Sequence, residues 1–481
     1  MKGSIIGNEL VIRDRTYDLI NPATEEIIEK ISLATPDDAK NAIETAKKAF
    51  ETWSTTPLYK RIEMLYKIAD YISENREEFA KILSLEAGKP IRDARVEAMR
   101  TEKVFRYSAE AARFLLTGET PRLDAFEYPL GNENRIALIR REPMGVVVAI
   151  TPFNFPLNSF AHKVAPALAV GNTVVVKPSL STPLSALNLA SVMLKLGLPP
   201  GVVNVVTGYS SEIGDLLITH EEVSLITFTG STETGLKIAS KAAGLSKRMI
   251  MELGGSDPMI ILDDADVERA SAVATRARFE YAGQNCNAAK RIIVQEKVFD
   301  TFIERFKIKA SGLKLGNPLD ENIDIGPLIS AEAVKNMERF IEDALNKESE
   351  LIIGGKKPYP RGFFFMPTII KASTPDLKAL QEEVFGPIAP VVKVKDEEEA
   401  IAIANKTKYG LQAAIFTRDY KKALKMAEKI KAGAVIINDS TRLRWDALPF
   451  GGVRFTGFGR EGVKYTMQEM TEIKLVALNL E

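Results

Sequence analysis

One cysteine, Cys286, stands in a chain of 481 residues that has only two histidines, His162 and His220. A thiolate is intrinsically reactive, so a lone cysteine becomes a nucleophile wherever a dipole or cation lowers its pKa. Free cysteines are also among the most buried residue types, and an arbitrary one is more often a small hydrophobe. The setting of Cys286 favours a site. It closes the polar stretch Gly283-Gln284-Asn285-Cys286, just past a helical segment and ahead of the apolar run Ile292-Ile293-Val294. Upstream, Ile250-Met251-Glu252-Leu253-Gly254-Gly255 carries an acid in a glycine-flanked turn. With so few histidines and one cysteine, a zinc site on His and Cys ligands is disfavoured and an intramolecular disulfide is excluded.

A second group of residues has the chemistry of phosphate binding. Three polar turns follow apolar runs: Thr151-Pro152-Phe153-Asn154-Phe155-Pro156, Lys177-Pro178-Ser179, and Gly230-Ser231-Thr232-Glu233-Thr234-Gly235. The last joins a strand to a helix, where free backbone N–H groups and the helix dipole can hold a pyrophosphate. It is no Walker A motif, because no Lys-Ser/Thr follows, and no strand leads into GxGxxG. The argument rests on the three turns together.

The elements that must position these residues are legible in the pattern. Near-continuous apolar strands at residues 145–150, 173–177, 202–206 and 225–229 alternate with helical stretches near 158–169, 183–196 and 211–219. Strands apolar on both faces predict a parallel sheet covered by helices, with ligands at the carboxyl ends. Helices are expected over 35–52, 57–75 and 78–116. The spacing of Val267, Ala270, Ala274, Ala277 and Tyr281 predicts another over 264–281, capped by Asp263 or Asp264 and ended by Gly283. A second α/β region runs from Cys286 to about residue 450, including the turn Gln381-Glu382-Glu383-Val384-Phe385-Gly386-Pro387 and a loop at 439–448 bearing Arg442 and Arg444. Residues 137–141 read as the second half of a hairpin, and 474–480 as a final strand.

Lys+Arg and Asp+Glu number 64 each, so no net field points to nucleic acid or an anionic membrane. No signal-peptide core or membrane-length apolar run interrupts the chain, and a cytoplasmic protein is expected.

Six motifs resemble, in order and spacing, those of the NAD(P)-dependent aldehyde dehydrogenases: Thr151 to Pro156, Lys177-Pro178-Ser179, Phe228-Thr229-Gly230-Ser231-Thr232, Glu252-Leu253-Gly254-Gly255, Gly283 to Cys286, and Glu383-Val384-Phe385-Gly386-Pro387. The resemblance spans essentially the whole chain. It implies a Rossmann-type parallel-sheet cofactor domain (1–120 and 144–252), an α/β catalytic domain (253–450), and a β-hairpin oligomerisation arm with a C-terminal strand (121–143 and 451–481), assembled as a homodimer or homotetramer. It implies Cys286 as the nucleophile, Asn154 with the Cys286 N–H as the oxyanion donors, and Glu252 as the base that activates water against a thioester. Cofactor contacts would come from Thr151, Phe153, Lys177, Ser179, Leu180, Gly230, Ser231, Leu253, Glu383 and Phe385, with no metal.

Members that prefer NAD usually carry a Glu where this chain has Leu180. Its loss removes repulsion against a 2′-phosphate, so NADP is expected, with NAD as a second cofactor. The residues after the cysteine, and Gly462-Val463-Lys464-Tyr465, resemble members acting on glyceraldehyde 3-phosphate, glyceraldehyde or lactaldehyde. Arg442 and Arg444 are candidates for a phosphate or carboxylate, or are surface charges. Asn285 replaces the Arg found directly before the cysteine in relatives handling the phosphorylated sugar, which leaves succinate semialdehyde open. Three other readings remain: acyl transfer to coenzyme A, against which Glu252 argues; a silent fold; and a cysteine hydrolase using His162.

Overall fold

Val147 and Ala149 enter one buried hydrophobic cluster and Val146 and Val148 another, so the strand Val146–Ile150 is covered on both faces. That double burial is why it reads as a continuous apolar run. The computed structural model, which describes residues 1–481, places this strand inside a sheet of eight. The order is Gly457–Phe458, Arg248–Glu252, Val223–Thr229, Val146–Ile150, Thr173–Lys177, Val203–Val205, Ser4–Ile6 and Glu9–Val11. The five inner strands are parallel and the edges are antiparallel.

From Val146–Ile150 the chain proceeds outward through Thr173–Lys177 to Val203–Val205, then returns to the other side with Val223–Thr229. The reversal opens a crevice at the carboxyl ends of the two flanking strands. The turns beginning at Thr151 and Gly230 sit there.

A second sheet of seven has the order Glu350–Ile353, Thr368–Lys371, Ile388–Val394, Ala289–Gln295, Asp257–Ile261, Gln412–Phe416 and Ala434–Ile437, parallel except for its first strand. The helix Val267–Phe279 covers it, and Phe279 stacks on Phe306 with ring centroids 5.7 Å apart.

Three expectations need correction. Glu252 does not lie in a turn: it ends the strand Arg248–Glu252 and is paired to Thr229 on one side and Gly457 on the other. The helix expected over 264–281 is shorter, because Asp266 supplies the cap to Arg269 N while Asp263 pairs with Lys297 and Asp264 accepts from Thr417. It stops at Phe279 because Tyr281 and Ala282 both take φ +52°, outside the helical region. The C-terminal strand joins the arm as expected, but the arm's own hairpin pairing is reduced to a single bridge. Arg135–Pro143 pairs antiparallel along its whole length with Thr471–Asn479, while Glu119 makes a lone bridge to Ile139. The long C-terminal strand offers a full ladder that the turn-rich residues 121–134 cannot.

Candidate active site

Gly451 comes so close to the carboxylate of Glu252 that a Cβ there would lie 2.6 Å from Oε1. Glu252 is thus walled in by backbone. It is buried, and its Oε1 has no hydrogen-bond partner. Desolvation, reinforced by the nearby Glu461 charge, pushes its carboxyl well above the usual range, against Arg444, Lys163 and Arg460. Glu461 itself moves the other way. Burial opposes its charge, but Lys163 at 2.8 Å and Arg444 at 3.0 Å hold its carboxyl well below normal. Two neighbouring acids are driven apart in acidity, Glu252 upward and Glu461 downward.

Cys286 follows the turn Glu280–Gly283. The residue keeps some exposed area, yet its thiol is enclosed, and that burial pushes it up to about 12, with Lys290 and Arg444 pulling it down. Asn154 borders the same turn: its Nδ2 donates to Gln284 O at 2.9 Å. Its own carbonyl accepts from Lys89 Nζ at 2.9 Å, and that ammonium pairs with Glu97 and lies 3.6 Å from the Phe155 ring centroid. Glu97 in turn accepts the N–H groups of Leu157 and Asn158 at the start of the helix Pro156–Val170. One buried ion pair therefore anchors the asparagine to both a helix end and an aromatic cage. An amide with a spare N–H beside a thiol and a neutral carboxyl can stabilise an oxyanion and then activate water.

A cleft of about 480 Å³ joins these groups to the polar turns. Thr151, Phe153, Lys177, Ser179, Gly230 and Ser231 line it from the first sheet. Leu253, next after the first sheet's strand Arg248–Glu252, also lines it, and Glu383 and Phe385 close it from the other side, with the Phe153 and Phe385 rings edge to face at 5.8 Å. Lys177 is buried without a counter-charge, and burial alone pushes its ammonium down to about 8. Thr151 Oγ1 is buried and unpartnered. Ser231 lines the cleft and caps the helix Thr232–Ala243, its side chain accepting from Thr234 N, so that helix begins at the cleft wall. An unpaired cation, an orphan hydroxyl and a helix N-terminus fit an anionic dinucleotide.

At the opposite wall, Arg442 pairs with Glu280 at 2.9 Å and Arg444 with Glu461, and both line the cleft. Arg442 Nε and Nη1 and Arg444 Nε are buried without acceptors. These arginines are not free surface charges. Leu180 and Asn285 do not line the cleft; Leu180 is half-buried at the turn, and Asn285 turns away to donate to Glu280 O at 3.2 Å.

The whole-chain comparisons agree with one another. The aldehyde dehydrogenase family model matches residues 11–476. The chain belongs to the aldehyde dehydrogenase family. It is 43% identical to the lactaldehyde dehydrogenase of Methanocaldococcus jannaschii, covering 97% of this chain and 98% of that protein. It is 40% identical to the 3-sulfolactaldehyde dehydrogenase of Priestia aryabhattai, over 99% and 98%. The crystal structure of glyceraldehyde-3-phosphate dehydrogenase GapN from M. jannaschii, complexed with NADP, superposes with a TM-score of 0.91 at 43% identity, over 97% of this chain and 100% of that one.

For this aldehyde dehydrogenase, the sequence did not single out Arg100, Lys163, Asp446 or Glu461, and it marked His162 only as a possible base. Lys163 donates to Thr227 Oγ1 at 3.1 Å and to Glu461. His162 Nε2 lies 2.9 Å from Asp446 Oδ1, and Arg100 grips the same carboxylate. Ser210 lines the cofactor end of the cleft. A lysine and a histidine within the otherwise apolar helix Pro156–Val170 were the available signal. Replacing Glu461 by Gln removes the anion that lifts Glu252, so Glu252 ionises at lower pH. The acid limb of the pH–activity profile is expected to shift to lower pH, and an unmoved limb would show that Glu461 does not act on Glu252.

Proposed function

We propose that this enzyme oxidises a short hydroxyaldehyde (lactaldehyde, glyceraldehyde or glyceraldehyde 3-phosphate) to its acid, with NADP preferred and NAD as a second cofactor. The observation carrying the reading is that one cleft is lined by Cys286, Glu252 and Asn154 together with Lys177, Ser231 and Glu383. In this reading the Cys286 thiol loses its proton to water in the cleft, and the thiolate sulfur attacks the aldehyde carbonyl carbon as the C=O electron pair moves onto oxygen. Asn154 Nδ2 and the Cys286 N–H hold the oxyanion, each donor contributing about 3 kcal/mol. When bound, the nicotinamide dinucleotide supplies the hydride acceptor. Glu252, once ionised, takes a proton from water as its oxygen attacks the thioester carbon, and the thiol is regenerated as the acid leaves.

Lys177 without a counter-charge and Leu180 in place of a carboxylate support NADP. The unpartnered N–H groups of Arg442 and Arg444 support a substrate whose tail accepts hydrogen bonds, a hydroxyl or a single anion. Their guanidinium charges are already matched by Glu280 and Glu461, which disfavours a strongly anionic tail. Succinate semialdehyde and transfer to coenzyme A are weaker readings, the latter because a buried carboxyl beside the thiol serves water. We assign the cofactor domain to residues 1–120 and 144–252, the catalytic domain to 253–450, and the arm to 121–143 with 451–481. A two-stranded ribbon is marginal alone, and this one leaves Ile473 and Leu475 each 63% exposed. We therefore assign a homodimer or homotetramer.

Absorbance at 340 nm, read with both cofactors against these aldehydes and succinate semialdehyde, tests the assignment; best turnover with succinate semialdehyde would replace it. Leu180→Glu is expected to shift the ratio of NAD to NADP efficiency toward NAD by roughly fivefold or more; no change would sink the argument from Leu180. Glu252→Gln should release one equivalent of reduced cofactor per subunit and then turn over about 10²–10⁴-fold more slowly. Steady turnover near the wild-type rate would remove Glu252 from the reaction. Sedimentation at micromolar concentration should give a dimer or tetramer, whereas a monodisperse monomer would overturn that assignment.

A further inference from the structure

Lys290 is the second residue of the strand Ala289–Gln295 and has no exposed area. Its ammonium donates to Gly255 O at 2.8 Å, to Cys286 O at 2.5 Å and to Glu383 Oε1 at 2.8 Å, so its three N–H groups are all used. Each acceptor belongs to a different segment: the glycine turn after Glu252, the nucleophile turn, and the stretch leading to Phe385. Glu383 Oε1 also accepts Gly255 N at 3.1 Å. The two turns touch: a Cβ on Gly255 would lie 2.7 Å from Cys286 O. Lys290 does not line the cleft, so it reaches no substrate directly.

We propose that Lys290 is a positioning residue that locks the Glu383 carboxylate and the Cys286 turn into one hydrogen-bonded unit behind the cleft wall. A buried ion pair is weak evidence for a role in stability alone, since a well-packed apolar side chain often serves folding as well. The charge acts on the thiol as well as on the geometry. Lys290 and Arg444 face Cys286 as cations, and Asp257 and Glu252 face it as acids. Burial pushes Asp257 up to about 8 and Glu252 well above normal, which weakens the acids that oppose Lys290 at the thiol, while the Lys290 ammonium itself pairs with the Glu383 carboxylate at 2.8 Å.

The inference rests on Cys286 as nucleophile and Glu383 as a cofactor ligand, and its test needs no turnover. Cys286 is the sole cysteine, so alkylation of the full, cofactor-free chain by iodoacetamide, followed by mass across pH, reports that thiol alone. Lys290→Met is expected to raise the alkylation midpoint and slow the reaction roughly tenfold at neutral pH, the effect of about one pKa unit. NADP binding by calorimetry should weaken by a similar factor. Glu383→Gln removes the anion from the pair and should move the alkylation midpoint the other way, to lower pH, while also weakening NADP. A folded Lys290→Met protein with wild-type alkylation and wild-type NADP affinity overturns the proposal. If Lys290→Met does not fold, a Glu383→Gln profile that stays put or rises overturns it. Normal alkylation shifts in a chain that oxidises no aldehyde would count against the catalytic reading and leave this one standing.

Discussion

The structure depends on one constraint: a carboxyl and a thiol must be buried together without either becoming inert. Desolvation drives Glu252 and Cys286 toward their neutral forms. Cations set behind them, Lys163, Lys290 and Arg444, limit how far that goes. None is left unpaired, since Lys163 and Arg444 share Glu461 while Lys290 holds Glu383. The fold supplies this arrangement by setting the carboxyl ends of the first sheet's strands against the turns that lead into the second sheet's strands, Cys286 ahead of Ala289–Gln295 and Glu383 ahead of Ile388–Val394, so Glu252 comes from one sheet and Cys286 from the approach to the other.

Much of that frame was readable from the chain. Val146–Ile150 and Thr173–Lys177 are buried on both faces, so their composition alone marked them as inner parallel strands. The turns after them were polar because they had to meet a polar ligand, and the spacing of six motifs carried the family. Arg248–Glu252 was harder to read. It runs from an exposed Arg248 to three buried residues, and its last residue looks like a turn because two glycines follow closely. The end of Val267–Phe279 was misplaced because Tyr281 and Ala282, which no local rule marks for positive φ, break the helix before Gly283.

The supporting residues were less visible, for a physical reason. Lys163, Lys290 and Glu461 look like ordinary charges until tertiary contacts bury them, and their partners lie far away in sequence. Lys290 gave a local hint, because a lysine and Arg291 open a strand that is otherwise Ile292, Ile293 and Val294. Arg291 spends its guanidinium on the carbonyls of Ser256, Ile403 and Ala404, a structural clamp beside a functional one. Adjacent cations of identical appearance thus take different roles, and only their acceptors tell them apart.

The reach of those contacts shapes the order in which the site comes into being. Lys163 meets Glu461 across 298 positions, and His162 meets Asp446 across 284. Contacts of such separation are slow to form, because the loop they close costs entropy before they contribute. The parallel strands between Val146–Ile150 and Arg248–Glu252 can assemble from nearer neighbours. The stretch carrying Arg444, Asp446 and Glu461 meets that sheet only through contacts of long sequence separation. The crevice and the acid pair that tunes Glu252 are therefore laid down by parts of the chain that lie far apart, and a change confined to the segment carrying Arg444 and Glu461 alters the tuning while leaving the first sheet's own contacts in place.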